Sequence, residues 1–233
     1  MVLKKLNELS VFFPFYNEEA NIGAQTEDAL KIIPQFADKF EIILVDDGSV
    51  DKTGKIGQKL AQKYRPVKII RHRVNRGYGG ALKTGLKNSR YKWIFFTDGD
   101  RQFKLTDLSK LIKESDKADL IIGYRRERAD SFIRLCNAKL YNLSIKFLFG
   151  LRVRDVDCAF KLIKKEVLDN IKLKSDGALL SSELLIKAKK KGYKIVEVPV
   201  SHYPRQVGSQ TGANFKVIFK AFYDIAALWK DLR

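Results

Sequence analysis

The sequence is poor in the residues that build disulfide frameworks and metal cages. It contains only two cysteines among 233 residues, Cys136 and Cys158, and they do not form a C-x-x-C pair. This pattern excludes a disulfide-rich scaffold and predicts buried thiols in a reducing compartment. Only two histidines are present, His72 and His202, so the sequence supplies no histidine cluster for a zinc ion.

The sequence also lacks an apolar run long enough to predict a transmembrane helix. Charged residues interrupt its two most apolar late stretches, at 130–151 and 213–233, whereas a span needs about 20 nearly uncharged residues. Lys4, Lys5 and Glu8 occupy the first eight residues without an apolar core, so no secretory signal is predicted. We expect a cytoplasmic protein, either soluble or peripheral on the cytoplasmic face of a membrane.

Acidic residues are outnumbered by basic ones. The chain has 45 lysines and arginines against 27 aspartates and glutamates, a formal net charge of +18. Such an excess predicts an anionic partner, which could be a nucleotide, a nucleic acid or an anionic membrane surface. Hydrophobic residues make up 45% of the chain, which is ordinary for a globular protein. Because no linker or repeat divides the sequence, we expect a single domain over residues 1–233.

Strand-like and helix-like segments alternate through the first half of the chain. Short apolar runs predict strands at 9–15, 40–45, 67–71, 93–97 and 119–124, with helical patterns between them. This alternation predicts βαβ units and an α/β fold with a parallel sheet. The later part of the chain predicts a long helix at 130–149, a strand at 158–163, a helix at 179–191, a strand at 193–203 and an amphipathic helix from about 213.

Four short motifs occur at the ends of these predicted elements. They read P-F-Y-N-E at 14–18, V-D-D-G-S at 45–49, N-R-G-Y-G-G at 75–80 and D-G-D at 98–100. The first, second and fourth lie where an apolar run stops, and the third opens a helix. Because ligands of open α/β sheets bind outside the carboxyl ends of the strands, the motifs predict one ligand crevice.

The D-G-D motif is a predicted metal site. Residues i and i+2 at a strand end face the same way, so the carboxylates of Asp98 and Asp100 can converge. Oxygen ligands suit Mg²⁺ or Mn²⁺, and Mg²⁺ often binds through one or two carboxylates plus substrate phosphates. Gly99 lets the backbone approach a ligand closely. The alternative interpretation is an acidic turn without a metal.

The other motifs predict contacts with a nucleotide. Tyr16 has an aromatic face for stacking on a base, and Glu18 has a carboxylate that can hold it. One of the two acids Asp46 and Asp47 can accept hydrogen bonds from a ribose or base, while the other caps the next helix. The glycine-rich segment 75–80 lacks the G-x-x-x-x-G-K-[ST] pattern, so it is not a P-loop.

In their order and spacing, the four motifs resemble those of the family 2 glycosyltransferases. Within that family the chain is most similar to the polyprenyl-phosphate hexosyltransferases, the group of dolichyl-phosphate mannose synthase. This second resemblance rests on G-Y-R at 123–125, D-V-D-C-A-F-K at 155–161 and V-E-V-P-V at 196–200. The Q-x-x-R-W motif of processive polysaccharide synthases is missing, which argues against chain polymerisation.

The resemblance implies a GT-A nucleotide-sugar-binding fold, in which a Rossmann-like, mostly parallel sheet is flanked by helices. Residues 1–125 would bind the nucleotide sugar, and residues 126–233 would form the acceptor half with its C-terminal amphipathic helix. The reaction implied is inverting, metal-dependent transfer of mannose or glucose. The donor would be of the GDP-mannose or UDP-glucose type, and the acceptor a polyprenyl or dolichyl phosphate.

The resemblance also assigns roles to individual residues. The nucleotide-sugar contacts would be Pro14, Tyr16, Glu18, Val45, Asp47 and Gly99. Asp98 and Asp100 would hold Mg²⁺ or Mn²⁺ and the diphosphate, with Gln102 completing the metal shell. Arg125 and Arg205 would face the donor diphosphate or the acceptor phosphate. The group commonly reads D-A-D-L-Q-H at the metal site, so Arg101 and Phe103 are departures that leave the donor open.

Two alternatives remain at the level of the sequence. A soluble family 2 transferase acting on a polysaccharide or another hydroxyl acceptor would need a carboxylate base, for which Glu183 and Asp157 are the candidates. A nucleic-acid-binding module would use the +18 charge, but no recognition motif is present and acidic strand ends would repel phosphate. Apolar stripes on the helices at 130–149 and beyond 213 predict peripheral contact with an anionic membrane.

Overall fold

The computed structural model describes residues 4–126, 132–175, 177, 179–205, 225 and 228–230, with only the backbone over 132–138. The strands in this part of the chain are β1 (Leu6–Phe15), β2 (Ala37–Asp46), β3 (Val67–Arg71), β4 (Trp93–Thr97), β5 (Leu120–Arg125), β6 (Phe160–Lys164) and β7 (Ile195–Val200). The helices are α1 (Ile22–Ile32), α2 (Thr53–Lys63), α3 (Gly77–Asn88), α4 (Leu108–Lys113), α5 (Phe132–Phe149), α6 (Lys165–Asp169) and α7 (Leu179–Lys190).

The seven strands form one sheet in the order β3-β2-β1-β4-β6-β5-β7. All of them run in one direction except β6, which is antiparallel to both β4 and β5. The carboxyl ends of β1, β2 and β4 therefore meet at the same edge of the sheet. The prediction of an α/β fold with a mostly parallel sheet flanked by helices is confirmed.

The central strands are buried on both faces, which explains their unbroken apolar runs. Along β1, Val11 and Phe13 point into the hydrophobic cluster on one side, while Phe12 points into the cluster on the other. Phe12 stacks on Phe96 of β4 with ring centroids 5.1 Å apart. A Cβ atom on Gly85 of α3 would lie 2.2 Å from the Phe12 ring, so glycine is what lets α3 lie this close to the sheet.

Two elements predicted late in the chain, a strand and a helix, do not match the described structure over their full predicted length. The strand expected over 193–203 is shorter, Ile195–Val200, and beyond its end His202 forms a single bridge with Phe103. The amphipathic helix expected from about 213 lies mostly outside the described residues, although Ile225 and Leu228 are buried in the core. Within the described part of the chain, no helix combines the length and the apolar character needed to cross a membrane.

Candidate functional site

A cleft of about 630 Å³ opens at the carboxyl ends of β1, β2 and β4. It brings together residues from all four sequence motifs, and also Arg205 from much later in the chain. The residues that line it are Pro14, Phe15, Tyr16, Asn17, Glu18, Asp47, Asn75, Gly77, Tyr78, Ala81, Asp98, Gly99, Asp100 and Arg205. The structure therefore gathers the four motifs into one crevice, as a parallel sheet with consecutive strand ends requires.

Two carboxylates follow the end of β4 and lie partly buried in this cleft. The Tyr78 hydroxyl donates to Oδ1 of Asp98 at 2.9 Å, a contact that the sequence did not indicate. Loss of solvation, with added repulsion from Asp100, raises the pKa of Asp98 to about 7. Loss of solvation also raises the pKa of Asp100. Both carboxylates are thus costly to ionise side by side, and a bound cation would relieve that cost.

These carboxylates fit a hard divalent ion that shares its coordination with a ligand. Among the residues whose positions are described, no group of three or more histidine, cysteine, aspartate or glutamate side chains converges. Mg²⁺ nevertheless binds through one or two carboxylates when substrate phosphates and waters complete its shell. Asp98 and Asp100 therefore suit Mg²⁺ or Mn²⁺ held together with a diphosphate.

Gln102 connects this loop to the segment that carries Arg205. Its side-chain amide nitrogen donates to the Tyr203 carbonyl at 2.9 Å, and its own carbonyl accepts from the Tyr203 N–H at 2.8 Å. Its backbone N–H donates to Oδ1 of Asp100 at 3.2 Å. Gln102 does not line the cleft in this arrangement, so its place in a metal shell stays a prediction.

The two residues that flank Asp100 are a glycine packed against β1 and an arginine whose side chain lies outside the cleft. A Cβ atom on Gly99 would lie 2.3 Å from the Phe15 ring, so only glycine fits against β1 there. Arg101 has a left-handed backbone, with φ at 62°. Its side chain forms a 2.9 Å ion pair with Asp28 of α1 and does not line the cleft.

Arg205 places a positive charge among the acids of the cleft. Its guanidinium forms an ion pair with Glu18, and a second guanidinium nitrogen lies 4.0 Å from Oδ2 of Asp100. The side chain is only 15% exposed, and this burial lowers the pKa of Arg205. The structure thus brings Arg205 together with the predicted metal carboxylates.

Asp46 and Asp47 divide their tasks at the end of β2. Asp46 is fully buried, accepts the Ser49 N–H at 3.0 Å and pairs with Arg71 at 3.0 Å, so it shapes the turn. Asp47 lines the cleft. Val45 is buried in the core and does not line the cleft, so the structure does not place its side chain with the other predicted nucleoside contacts.

Arg125 at the end of β5 is engaged inside the protein. Its guanidinium forms a bidentate pair with Asp155, with nitrogen–oxygen distances of 2.7 and 2.8 Å. The two side chains are only 10% and 6% exposed. Arg125 does not line the cleft, but its charge lowers the pKa of Asp98 against the effect of burial. The sequence indicated this pair only through the family-like D-V-D-C-A-F-K segment at 155–161, which supplies Asp155.

The same segment supplies Lys161, whose side chain is fully buried. Its ammonium group donates to the carbonyls of Val156, at 3.1 Å, and Cys158. Burial lowers the pKa of Lys161, and its charge reaches Asp98. The sequence did not indicate that Lys161 is buried, because a single lysine in an apolar strand looks the same in sequence whether it is buried or exposed.

Glu183, the candidate base for a hydroxyl acceptor, has a different role in the structure. Its carboxylate is fully buried, accepts the backbone N–H groups of Lys174 and Ser175, and pairs with Lys187. Burial opposes its ionisation, but these hydrogen bonds, led by that of Lys187, hold the pKa of Glu183 below its ordinary value. Glu183 is outside the cleft lining and secures the chain before α7, which corrects its assignment as a catalytic base. Asp157, the other candidate base, is exposed.

Two named relatives resemble the chain over most of its length. It is 32% identical to the dolichyl-phosphate beta-glucosyltransferase of Saccharomyces cerevisiae, over 83% of this chain and 66% of the yeast protein. It is 28% identical to the dodecaprenyl-phosphate galacturonate synthase of Rhizobium johnstonii, over 86% of this chain and 60% of that protein. The chain thus spans about two thirds of the length of these relatives.

The fold is also found in solved structures. Glucosyl-3-phosphoglycerate synthase of Mycobacterium tuberculosis, in complex with phosphoglyceric acid, superposes with a TM-score of 0.75 at 17% identity, covering 96% of this chain and 80% of that one. Another structure of that synthase holds Mn²⁺, UDP-glucose and phosphoglyceric acid, with a TM-score of 0.72, 15% identity and the same coverage. The sequence model of glycosyl transferase family 2 matches residues 10–172, more than half of the chain. The chain is therefore a glycosyltransferase with a GT-A fold and belongs to glycosyl transferase family 2.

Proposed function

We propose that this glycosyltransferase moves a hexose from a nucleotide diphosphate sugar to a polyprenyl phosphate, with inversion at the anomeric carbon. The observation that carries the proposal is the pairing of two acids, Asp98 and Asp100, with a buried arginine, Arg205, in one cleft. Two named relatives that act on lipid phosphates support the choice of acceptor. The donor is of the GDP-mannose or UDP-glucose type.

In this proposal each side of the cleft binds one part of the donor. Tyr16, which is 44% exposed, stacks on the base, while Glu18 and Asp47 accept hydrogen bonds from the nucleoside. Asp98 and Asp100 would hold a Mg²⁺ or Mn²⁺ ion, which would supply Lewis-acid stabilisation of the charge on the departing diphosphate. Mn²⁺ in a solved structure of the same fold supports such an ion.

Arg205 complements the developing charge on the diphosphate. A guanidinium presents paired N–H donors that match phosphate oxygens, and a preorganised positive charge is most effective where water is excluded. In the structure this guanidinium is occupied by Glu18, so the donor diphosphate would replace one anionic partner by another. Arg125 contributes its positive charge from outside the cleft, since Asp155 holds its side chain there.

The carboxylates of the cleft favour an acceptor that needs no general base. In this proposal the metal takes up Asp98 and Asp100, and the nucleoside takes up Glu18 and Asp47, so each carboxylate among the described lining residues already has a role other than that of a base. A hydroxyl acceptor must lose a proton to a base, whereas a phosphate oxygen is already anionic at neutral pH. The arrangement therefore favours a lipid phosphate over a sugar hydroxyl.

Helix α5 carries the proposed contact with a membrane. Leu140, Leu143 and Phe147 are 53%, 58% and 87% exposed at spacings of three and four, while Tyr141 and Ile145 face the core. Lysines 139 and 146 lie exposed beside this stripe. An apolar stripe flanked by lysines can lie in the interface of an anionic bilayer, here on its cytoplasmic face.

Removing this stripe should weaken membrane binding. We expect the double variant Leu143→Ser, Phe147→Ser to reduce sedimentation with phosphatidylglycerol liposomes by about tenfold or more. The reason is that this variant no longer transfers two apolar side chains from water into the bilayer. Val50→Ser is the control, because Val50 is 88% exposed at another surface. Added salt should weaken binding of the parent protein by screening the lysines. Equal sedimentation of both variants would contradict the membrane contact.

The proposed function is tested by measuring release of nucleoside diphosphate from a panel of nucleotide sugars in the presence of Mn²⁺. We expect release to depend on added polyprenyl phosphate, and the sugar to appear in the lipid phase. A soluble hydroxyl acceptor should not replace the lipid. Equal turnover with a water-soluble hydroxyl acceptor, without transfer to the lipid phosphate, would overturn the proposal.

A further inference from the structure

The carboxylate of Asp47 reaches the cleft from a fixed position. Its Oδ1 atom accepts the backbone N–H of Arg76 at 2.9 Å and lies 2.6 Å from Nδ1 of His72. Only 4% of the Asp47 side chain and 6% of the His72 side chain are exposed. A short hydrogen bond in a buried setting holds the carboxylate plane in one orientation.

The imidazole of His72 is itself held at two further points. Its backbone N–H donates to the Asp46 carbonyl at 2.9 Å, which continues the pairing of β2 with β3. Its Nε2 atom lies 2.8 Å from the Thr84 hydroxyl on α3. The ring therefore cannot turn without losing hydrogen bonds at both nitrogens. In hydrolase triads a carboxylate orients the histidine. Here the half-buried Thr84 and the buried His72 do not line the cleft, so they orient the carboxylate that faces it.

The two oxygens of Asp47 are consequently unequal. Oδ1 accepts from both His72 and Arg76, whereas Oδ2 receives no hydrogen bond from any residue in the described part of the chain. A carboxylate oxygen is an acceptor only, so the ligand must supply the hydrogen. Asp47 therefore offers the group that it binds a single oriented acceptor, and not a pair of parallel acceptors.

This acceptor matches some nucleobases and not others. Uracil has one imide N–H between two carbonyl oxygens, which one carboxylate oxygen can satisfy. Guanine has an N–H and an adjacent amino group side by side, which pair best with both oxygens of a free carboxylate. Cytosine has the size of uracil but no ring N–H at that edge.

We propose that His72 is a positioning residue for Asp47, and that the pair selects a uracil nucleotide over a guanine or cytosine nucleotide. The inference rests on the proposed function, because it names the base of the donor bound in that cleft. His72 does not line the cleft, so it acts through Asp47.

The test is calorimetric binding of UDP, GDP and CDP to the full chain in the presence of Mn²⁺. We expect UDP to bind about tenfold or more tightly than either of the others, the scale of one well-placed hydrogen bond. His72→Leu should weaken UDP binding by about tenfold while changing GDP binding less, so that the selectivity falls. His72→Asn should restore selectivity, because its amide N–H can occupy the position of Nδ1.

Arg71→Gln is the matched control. It removes the ion pair to Asp46 at the neighbouring position of the same two strands, and neither residue lines the cleft. The ratio of UDP to GDP affinity should stay unchanged, and thermal unfolding should show that each variant is folded.

Each contrary result has a separate meaning. GDP or CDP binding to the parent protein as tightly as UDP would overturn the selection of uracil. Equal weakening of all nucleotides in His72→Leu, without rescue by His72→Asn, would overturn the positioning role. Binding of none of the three nucleotides would overturn the proposed function itself, and this inference with it.

Discussion

Asp100→Asn is expected to lower kcat/KM for sugar transfer by at least about a hundredfold, the scale seen when a group that stabilises developing charge is lost. Asp98 and Asp100 follow the same strand and carry raised pKa values, so they gain most from a shared cation. Asparagine keeps the shape of the side chain but removes the charge that binds the ion. EDTA should stop transfer in the parent protein.

The measurement is steady-state transfer with each protein at saturating Mn²⁺. Asp116→Asn is the control, since the Asp116 side chain is 82% exposed and lies near the opposite edge of the sheet, beside Lys4. Full activity in EDTA, or equal loss in the control, would contradict a metal on this pair.

Asp155→Ala is expected to lower the free energy of unfolding by about 3 kcal/mol or more. The reason is burial: Arg125 and Asp155 are 10% and 6% exposed and form a bidentate pair, so removal of the carboxylate leaves a desolvated guanidinium. Chemical denaturation of the two proteins measures the difference.

Two comparisons isolate that cause. Asp169→Ala removes a carboxylate that is 61% exposed and lies 3.6 Å from Lys165, so its effect should be below about 1 kcal/mol. The double variant Arg125→Met, Asp155→Leu should recover much of the lost stability, because it removes the buried guanidinium together with the buried carboxylate. Equal effects of Asp155→Ala and Asp169→Ala would show that burial of the pair does not matter.

The sequence could predict the parts of the fold that depend on local pattern. The bounds of β3 and β4 agree with the strands predicted at 67–71 and 93–97. The agreement is best explained for β4, which is fully buried and therefore uniformly apolar up to the polar turn that follows it. The meeting of four motifs in one cleft follows from consecutive parallel strands, which place their carboxyl ends together.

The antiparallel insertion of β6 between β4 and β5 could not be predicted in the same way. An apolar run indicates that a strand is buried, but it does not reveal the direction of its neighbours. The insertion brings the Asp155–Lys161 segment behind the cleft, which is how Asp155 and Arg125 become partners across 30 positions of sequence.

The sequence could predict which side chains line the cleft only where position alone decides it. Tyr16, Glu18, Asp47 and Asp98 line the cleft because each follows a strand end. Glu183 was misassigned because its motif shows a carboxylate near a helix start but not the backbone N–H groups of the preceding chain, at Lys174 and Ser175, that donate to it. The sequence did not indicate a role for His72, because the role of a single histidine depends on its hydrogen-bond partners. Here these are Asp47 and Thr84, which only the structure shows.

The most direct test of the central claim is the chemical linkage in the product. The protein should be incubated with its nucleotide sugar, Mn²⁺ and polyprenyl phosphate, and the extracted lipid examined by phosphorus and proton NMR. The account predicts a phosphodiester between the lipid and the anomeric carbon, with β configuration from an α-linked donor. A product with retained configuration, or a sugar attached through a hydroxyl with no phosphodiester, would contradict it.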